Sequence, residues 1–481
     1  MRRPHANTIR LTAAVLAASA FAAPATAATL SVGPGKAFNT PCAAVAAAHD
    51  ADVIEIDAAG DYAGDVCSID KNGLTLRSVG GRAKIDARGK SSGGKAIWVI
   101  SGRDTTVENI EFSGASVPDK NGAGIRQEGD NLTVRGCYFH DNDDGILTGA
   151  SAQSQILIEY SEFAQNGFGD GYSHNLYIGN VARFTLRYSY SHASKVGHLV
   201  KSRAAENFIT YNRLSSENGS TSYELDLPNL GLSLVLGNVI EQGANGENPS
   251  LLAYGLEGTA AGNPQHQLYV VNNTFVNDRS SGGTFVNVGA AVDVPVHLQN
   301  NIFAGAGSIT NQGNAVSTNN FSGADPRFLE RAALIYDLAP ASPCIDEGSD
   351  PGTAGGVELT PQWEYQHPAN ARPRLTTGTI DIGAYEFGSG SPTGSAGHSG
   401  ISGAAGSELT AGGAGGNASS GAPSSNAIGG GSPSNLNAAP SDRSGCSCRA
   451  SGAGQNAGWL ALLVPTSALF LGRKRARRRA V

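Results

Sequence analysis

ILIEYSEFAQNG (156–167), FTLRYSYSHASK (184–195), FITYNRLSSENG (208–219), LSLVLGNVIEQG (232–243) and QLYVVNNTFVND (267–278) read as one motif written repeatedly. Each copy has an apolar core that alternates with polar residues, then a corner rich in Asn, Gly and Ser. A second short apolar segment separates the copies: GILTG (145–149), NLYIG (175–179), HLVKS (198–202), YELDL (223–227) and LLAYG (251–255). Apolar residues recur with period two, which argues strands, and Gly and Asn interrupt too often for helical repeats. Two or more short strands per repeat describe a solenoid. No copy can bury its apolar side alone, whereas stacked coils share one continuous core.

On either side, AIWVISGRDTTVENIEFSGA (96–115) and GIRQEGDNLTVRGCYFHDNDDGILTGA (124–150) supply earlier coils, and HLQNNIFAGAG (297–307) and NNFSGADPRF (319–328) supply later ones. VIEIDAAGDY (53–62) and LTLRSVG (74–80) start the series. The Ala-rich stretch 41–50 before them predicts a short helix that covers the open end, where unpaired strands would otherwise recruit another molecule. The composition agrees. Gly is high at 64 residues, Met is low at 1, and charged residues are 16% with a net charge of −7. Corners need Gly, Asn, Ser and Asp; strands take Val, Ile, Leu, Tyr and Thr. Basic residues do not cluster within the folded part, so no nucleic-acid partner is indicated. A monomer is expected.

The ends carry addresses. Arg2 and Arg3 precede an apolar run, Leu11 to Ala23, and Ala25-Thr26-Ala27 has the form of a cleavage site. Residues 1–27 therefore read as a signal peptide, and residues 28–387 as the solenoid with its caps. From 388 to 444 the chain is Gly, Ser, Ala, Asn and Pro, a disordered linker that cannot form a core. Residues 445–481 hold GCSC, an apolar segment from Trp459 to Gly472, and a basic cluster from Arg473 to Arg479. That segment is shorter than the ~20 residues that cross a bilayer. Its order suits contact with a membrane before processing, the basic end facing the cytoplasm. The six cysteines then enter an oxidising compartment. Cys42 and Cys67 flank the first helix and strand and are expected to pair; Cys137 and Cys344 are expected as buried free thiols. No Cys/His spacing matches a zinc site.

These residues carry three resemblances. The coils from about residue 30 to 387 resemble the right-handed parallel β-helix repeats of the pectate-lyase-like superfamily, which implies an all-β, single-stranded right-handed solenoid. SPCIDEG (342–348) with DIGAYEF (381–387) resembles a terminal segment common in secreted bacterial β-helix proteins, expected here as the C-terminal cap and final coil. The tail resembles the myxobacterial C-terminal sorting signal, which implies processing near Cys446 or Cys448 and display at the cell surface or outer membrane. Many members of the superfamily act on polysaccharides as lyases, hydrolases or epimerases; others only bind or form stalks. The carboxylate set that holds metal in the pectate lyases is not found at matching positions, nor is the Asp-Pro-His-Asp signature of mannuronan epimerases.

A residue on one coil stacks about 4.8 Å above its equivalent on the next. Aligning His174 with His198 and Tyr223 places Tyr177, Lys201 and Asp226 in one outward row, one coil apart. Neighbouring outward rows are expected to hold Asn175 with Glu224, and Arg203. Asp170 and Tyr172 come from the loop just before. This face is expected to be the densest in ionisable groups. β-Elimination on a uronate needs a cation on the carboxylate, a base for the C5 proton and an acid for the leaving oxygen. Lys201 and Arg203 would supply the cation and the base, and Tyr177, His174 or His198 the acid, with Asp226 beside them. Asn175, Tyr172, Tyr223 and Glu224 are candidate substrate contacts. C5 epimerisation needs a similar set; hydrolysis would use Glu224 and Asp226. The plainer reading is a surface ion-pair ladder of little energetic value. HDNDDG (140–145) has the carboxylates for Ca2+, although Asp and Asn before Gly also make corners. No other cofactor is indicated. The sequence thus leaves three readings: an exported enzyme on an acidic polysaccharide, a non-catalytic binder of glycan or cell-envelope material, and a structural stalk.

Overall fold

The computed structural model describes residues 27–259 and 262–389. The signal peptide, nearly all of the linker, and the tail with Cys446 and Cys448 lie outside the described residues. Among those described, no helix is long and apolar enough to cross a membrane.

The alternating segments form a right-handed parallel β-solenoid with three sheets. Sheet 1 has 12 strands, from Thr29–Val32 to Val316–Thr318; sheets 2 and 3 have 10 each, from Cys67–Ile69 to Ser308–Thr310 and from Ala83–Asp86 to Phe321–Gly323. Each coil runs through sheet 2, sheet 1 and sheet 3, and every pairing within these sheets is parallel. Stacked Phe112, Phe139 and Phe163, with ring centroids 4.9 and 5.0 Å apart, fill the interior between coils.

The corner from sheet 1 to sheet 3 explains the Asn-rich signature. One residue there takes a left-handed conformation on coil after coil, as in Tyr188 (φ 55°), Tyr211 (φ 56°), Asn272 (φ 49°) and Asn300 (φ 56°). The next residue turns inward as a ladder rung. Asn212, Asn238, Asn273, Asn301 and Asn320 are linked by 2.9–3.0 Å Nδ2–H···Oδ1 bonds, and each Oδ1 also accepts the backbone N–H of the rung before it. The amide side chains thereby satisfy backbone groups that the turn leaves unpaired in the core. Toward the N-terminus the rungs become Ser189, Ser161 and Cys137. Cys137 is thus a free thiol inside the ladder, and burial pushes its pKa up to about 12. Cys344 is likewise free and buried.

At the N-terminal end the expected helix is Pro41–Ala47, with Thr40 accepting the Ala43 N–H and Pro41 opening the first turn. It buries Ala44 and Val45 against the core. The Cys42–Cys67 disulfide ties it to the first strand of sheet 2, as expected.

The C-terminal segment differs from the expected cap. Its three antiparallel hairpins pack along the flank of the solenoid, and the last sheet-1 strand, Val316–Thr318, is exposed. The cause is apolar surface that points outward from sheets 1 and 3. Val239, Val276 and Ile302 pack against Tyr336, Leu338 and Ile382, while Tyr188, Tyr211 and Leu234 lie in a cluster with Ala354 and Leu359. SPCIDEG and DIGAYEF meet in this segment: the Ile382 N–H donates to Cys344 O at 2.9 Å, and the Asp346 N–H to Asp381 Oδ1 at 2.6 Å.

Candidate functional site

The row drawn from sequence exists. Tyr177 pairs with Lys201, and Lys201 with Asp226, on consecutive strands of sheet 2. Leu147 precedes them and Ala253 follows. The strand Val200–Ser202 is only 3 residues long. Arg203 therefore already lies at its end, where its side chain turns back over Tyr177.

Four charged groups meet here. The Lys201 Nζ lies 3.3 Å from Asp226 Oδ2 and 3.6 Å from Glu257 Oε1. The Arg203 guanidinium grips Glu257 with both ends of its fork, at 2.6 and 2.8 Å, and its Nε–H donates to the Tyr177 hydroxyl at 2.9 Å. Asn229 accepts a further bond from Arg203. The Lys201 and Asp226 side chains are only 14% and 7% exposed, whereas Glu257 is 50% exposed. Two recessed cations thus share one solvent-reaching carboxylate. Glu257 was missed from sequence: it sits in the loop after Tyr254, and no periodicity marks it.

A second column runs beside the row. The His174 N–H donates to Asp144 Oδ1 at 2.7 Å, and the His198 N–H donates to His174 Nδ1 at 3.0 Å. With Nδ1 accepting, the His174 ring carries its proton on Nε2. Burial, then the cations of the neighbourhood, hold its pKa well below the usual histidine range, so the ring is neutral. The two imidazoles lie 4.4 Å apart between centroids, and Tyr223 closes on His198 edge-on at 5.0 Å. His198 Nδ1 is buried 3.3 Å from Asp226 Oδ2, within ion-pairing reach but without hydrogen-bond alignment.

Two expectations are corrected. Asn175 and Glu224 do not lie in outward rows; both are fully buried at the corner leading into sheet 2. Asn175 accepts the Asn166 N–H and Nδ2–H and donates to Phe163 O, Ser191 Oγ and His192 O, so it is a rung of a second amide ladder. Glu224 accepts from Ser216 Oγ and Gln242 Nε2, and burial raises its pKa well above the ordinary range, which keeps it neutral. The strand begins one residue later than strict alternation required, so these positions follow the turn instead of the pleat. A hydrolytic pair of Glu224 with Asp226 is therefore not formed.

Asp170 pairs with Lys120 at 3.4 Å, and its carboxylate accepts the Tyr172 N–H. Tyr172 itself is 86% exposed. In HDNDDG, Asn142 is an amide rung, Asp143 accepts the Val117 and Gly122 N–H groups, and Asp144 accepts from His174. Burial pushes Asp144 up to about 8. The run is thus a corner, and no cluster of three or more metal-ligating side chains is present among the described residues.

Nor is this face the densest in charge. Sheet 1 stacks Glu55, Arg77, Glu108, Arg135, Glu159 and Arg187, the last three pairing Arg with Glu above and below. There Arg135 and Arg187 lie at the surface and close on the buried Glu159 from the coils on either side, an ion-pair ladder between coils. Sheet 2 has the reverse arrangement: its cations Lys201 and Arg203 are the recessed groups, 14% and 20% exposed, and the carboxylate they share, Glu257, is the one that reaches solvent.

With this geometry in hand, comparisons with known proteins place the fold. A family model described as a right handed beta helix region matches residues 65–214. No match was found among curated protein sequences. A pectate lyase, Pel9A, superposes with a TM-score of 0.50 at 12% identity, covering 76% of this chain and 97% of that one. An alginate lyase from Paenibacillus sp. str. FPU-7 gives 0.33 at 14% identity, over 61% and 98%. Pectin methylesterase PemA from Erwinia chrysanthemi gives 0.25 at 12% identity, over 63% and 82%. At such identities a likeness is one of fold, and the fold resembles the pectate lyase. Function has to come from the residues.

Proposed function

We propose that this protein acts on an acidic polysaccharide by abstracting the C5 proton of a uronate, with β-elimination as the outcome. The observation that carries the reading is the half-exposed Glu257 carboxylate held by Arg203 and Lys201 over Tyr177. A uronate carboxylate has the same shape and charge. In Glu257's place it would receive the same two-pronged contact, which Arg matches and Lys cannot.

The chemistry follows from the surroundings. Lys201 and Arg203 neutralise the carboxylate and so stabilise the charge that develops when C5 loses its proton. Lys201, 3.3 Å from Asp226 and 3.6 Å from Glu257, takes the part of the cation. His198, steadied by Asp226, takes the C5 proton. The C4–O bond breaks, a C4=C5 double bond forms, and the Tyr177 hydroxyl, already accepting from Arg203, gives its proton to the leaving oxygen. If the C5 anion is instead reprotonated from the opposite face, the same site epimerises.

The chain is further proposed to be exported and displayed at the cell surface. The signal-like start and the sorting-like tail support this, as does the Cys42–Cys67 disulfide.

The test is ultraviolet absorbance of the unsaturated uronate while the purified protein acts on alginates, pectins, hyaluronan and chondroitins. The expected result is a rising trace on one polymer class, lost in Lys201→Ala and reduced at least ~100-fold in kcat/KM by His198→Ala. A flat trace together with no deuterium uptake at C5 in heavy water would rule out both elimination and epimerisation.

A further inference from the structure

A cleft of about 400 Å³ lies where the C-terminal segment crosses the outer face of sheet 3, away from the Lys201 face. Tyr190, Arg213, Tyr336, Asp337 and His367 line it, with Glu217 at one side. Its floor comes from the strands Tyr190–His192 and Arg213–Ser215, and its far wall from Ile335–Leu338 and Trp363–Gln366.

Arg213 is the anomaly. It is 8% exposed, its Nε has no hydrogen-bond partner, and its Nη1 donates only to Leu334 O at 3.3 Å. The carboxylates that share the cleft are engaged elsewhere: Glu217 with His192 and Tyr190, Asp337 with Arg372. What faces the guanidinium instead is aromatic, Tyr190 at 5.5 Å and Tyr336 at 5.8 Å. Opposite, the Tyr336 hydroxyl is a second buried polar group without a partner. A recessed cation with no direct ion pair and an orphaned hydroxyl are both costly to leave unmet. Both line one cavity of ligand size.

We propose that this cleft is a second binding site, separate from the Lys201 face, for a single carboxylated sugar residue. The carboxylate sits on Arg213 and Tyr336. The ring lies against the tyrosine faces, and its hydroxyls donate to Glu217 and Asp337. A simple anion lacks the hydroxyls and would meet those two carboxylates unfavourably. A neutral sugar would leave Arg213 unanswered. The sugar class rests on the proposed function, but the site is read by binding and not by turnover.

The experiment is calorimetric titration of the full-length protein with D-galacturonate, with D-galactose and acetate as comparators. Saturable galacturonate binding is expected, with galactose and acetate each at least about tenfold weaker. Tyr336→Phe removes one oxygen and no packing, and should weaken galacturonate about three- to tenfold. Arg213→Met should weaken it more than about tenfold, with the melting temperature showing that the C-terminal segment stays docked. Binding should persist in the Lys201→Ala/Arg203→Ala double variant, which removes both cations that hold Glu257 on sheet 2. Absence of saturable binding overturns the proposal. So does loss of binding in that double variant, indifference to both cleft variants, or acetate binding as tightly as galacturonate. A protein that eliminates no uronate yet binds galacturonate here would fail the first reading and keep this one.

Discussion

Replacing Glu257 by Gln should tighten the binding of uronate oligosaccharides. Glu257 holds Arg203 through two bonds of 2.6 and 2.8 Å and stands 3.6 Å from the Lys201 Nζ. A substrate carboxylate must displace it. Because Glu257 is half exposed, water screens the pair, and its worth lies within the range of surface ion pairs. The two-pronged geometry puts it toward the top of that range, about 0.5–1 kcal/mol. Glu257→Gln keeps the shape and one acceptor oxygen but removes the charge. The expected gain in affinity is therefore about two- to fivefold. Titration of a uronate tetrasaccharide into the wild type and Glu257→Gln at low and high salt reads it, and the gain should shrink as salt rises. Unchanged affinity would mean that Glu257 does not stand where the substrate carboxylate binds. Weakened affinity would make it a substrate contact. Either result refutes the reasoning.

Further outcomes follow from the ladder, the buried Asp144 and the disulfide. Asn273→Leu takes from Val235 O and the Asn238 N–H their Asn273 side-chain partner inside the ladder, and should cost about 4 kcal/mol in urea unfolding, from two orphaned groups at about 1–3 kcal/mol each. Asn273→Ser should cost less, since Ser161 and Ser189 already serve as rungs. Burial raises Asp144 from the ordinary carboxylate range to about 8, so the folded chain holds a proton that the unfolded chain releases. Its contribution is complete below pH about 4 and is lost as pH rises toward 8. Asp144→Asn should therefore raise the melting temperature relative to wild type at pH 8 and not at pH 4. Removing the Cys42–Cys67 disulfide, which closes a 25-residue separation, should cost about 3 kcal/mol, seen as a lower melting temperature under reducing conditions.

The solenoid, the helix over its first coil, the pairing of Cys42 with Cys67, and the row Tyr177, Lys201, Asp226 were all legible in the residues. Each follows from a local or periodic rule. Period-two alternation sets which side chains point inward, and a recurring coil length sets which residues stack. That logic failed at corners, where Asn175 and Glu224 follow turn geometry and bury their polar groups in the ladder. It was also blind to partners without a period. Glu257 reaches Arg203 from a loop 54 residues on. Tyr336 meets Arg213 because the C-terminal segment covers apolar residues that point outward from sheets 1 and 3. Only the tertiary structure decides such contacts, because they depend on where unburied apolar surface remains once the coils have closed. Alternation and spacing carry no record of that.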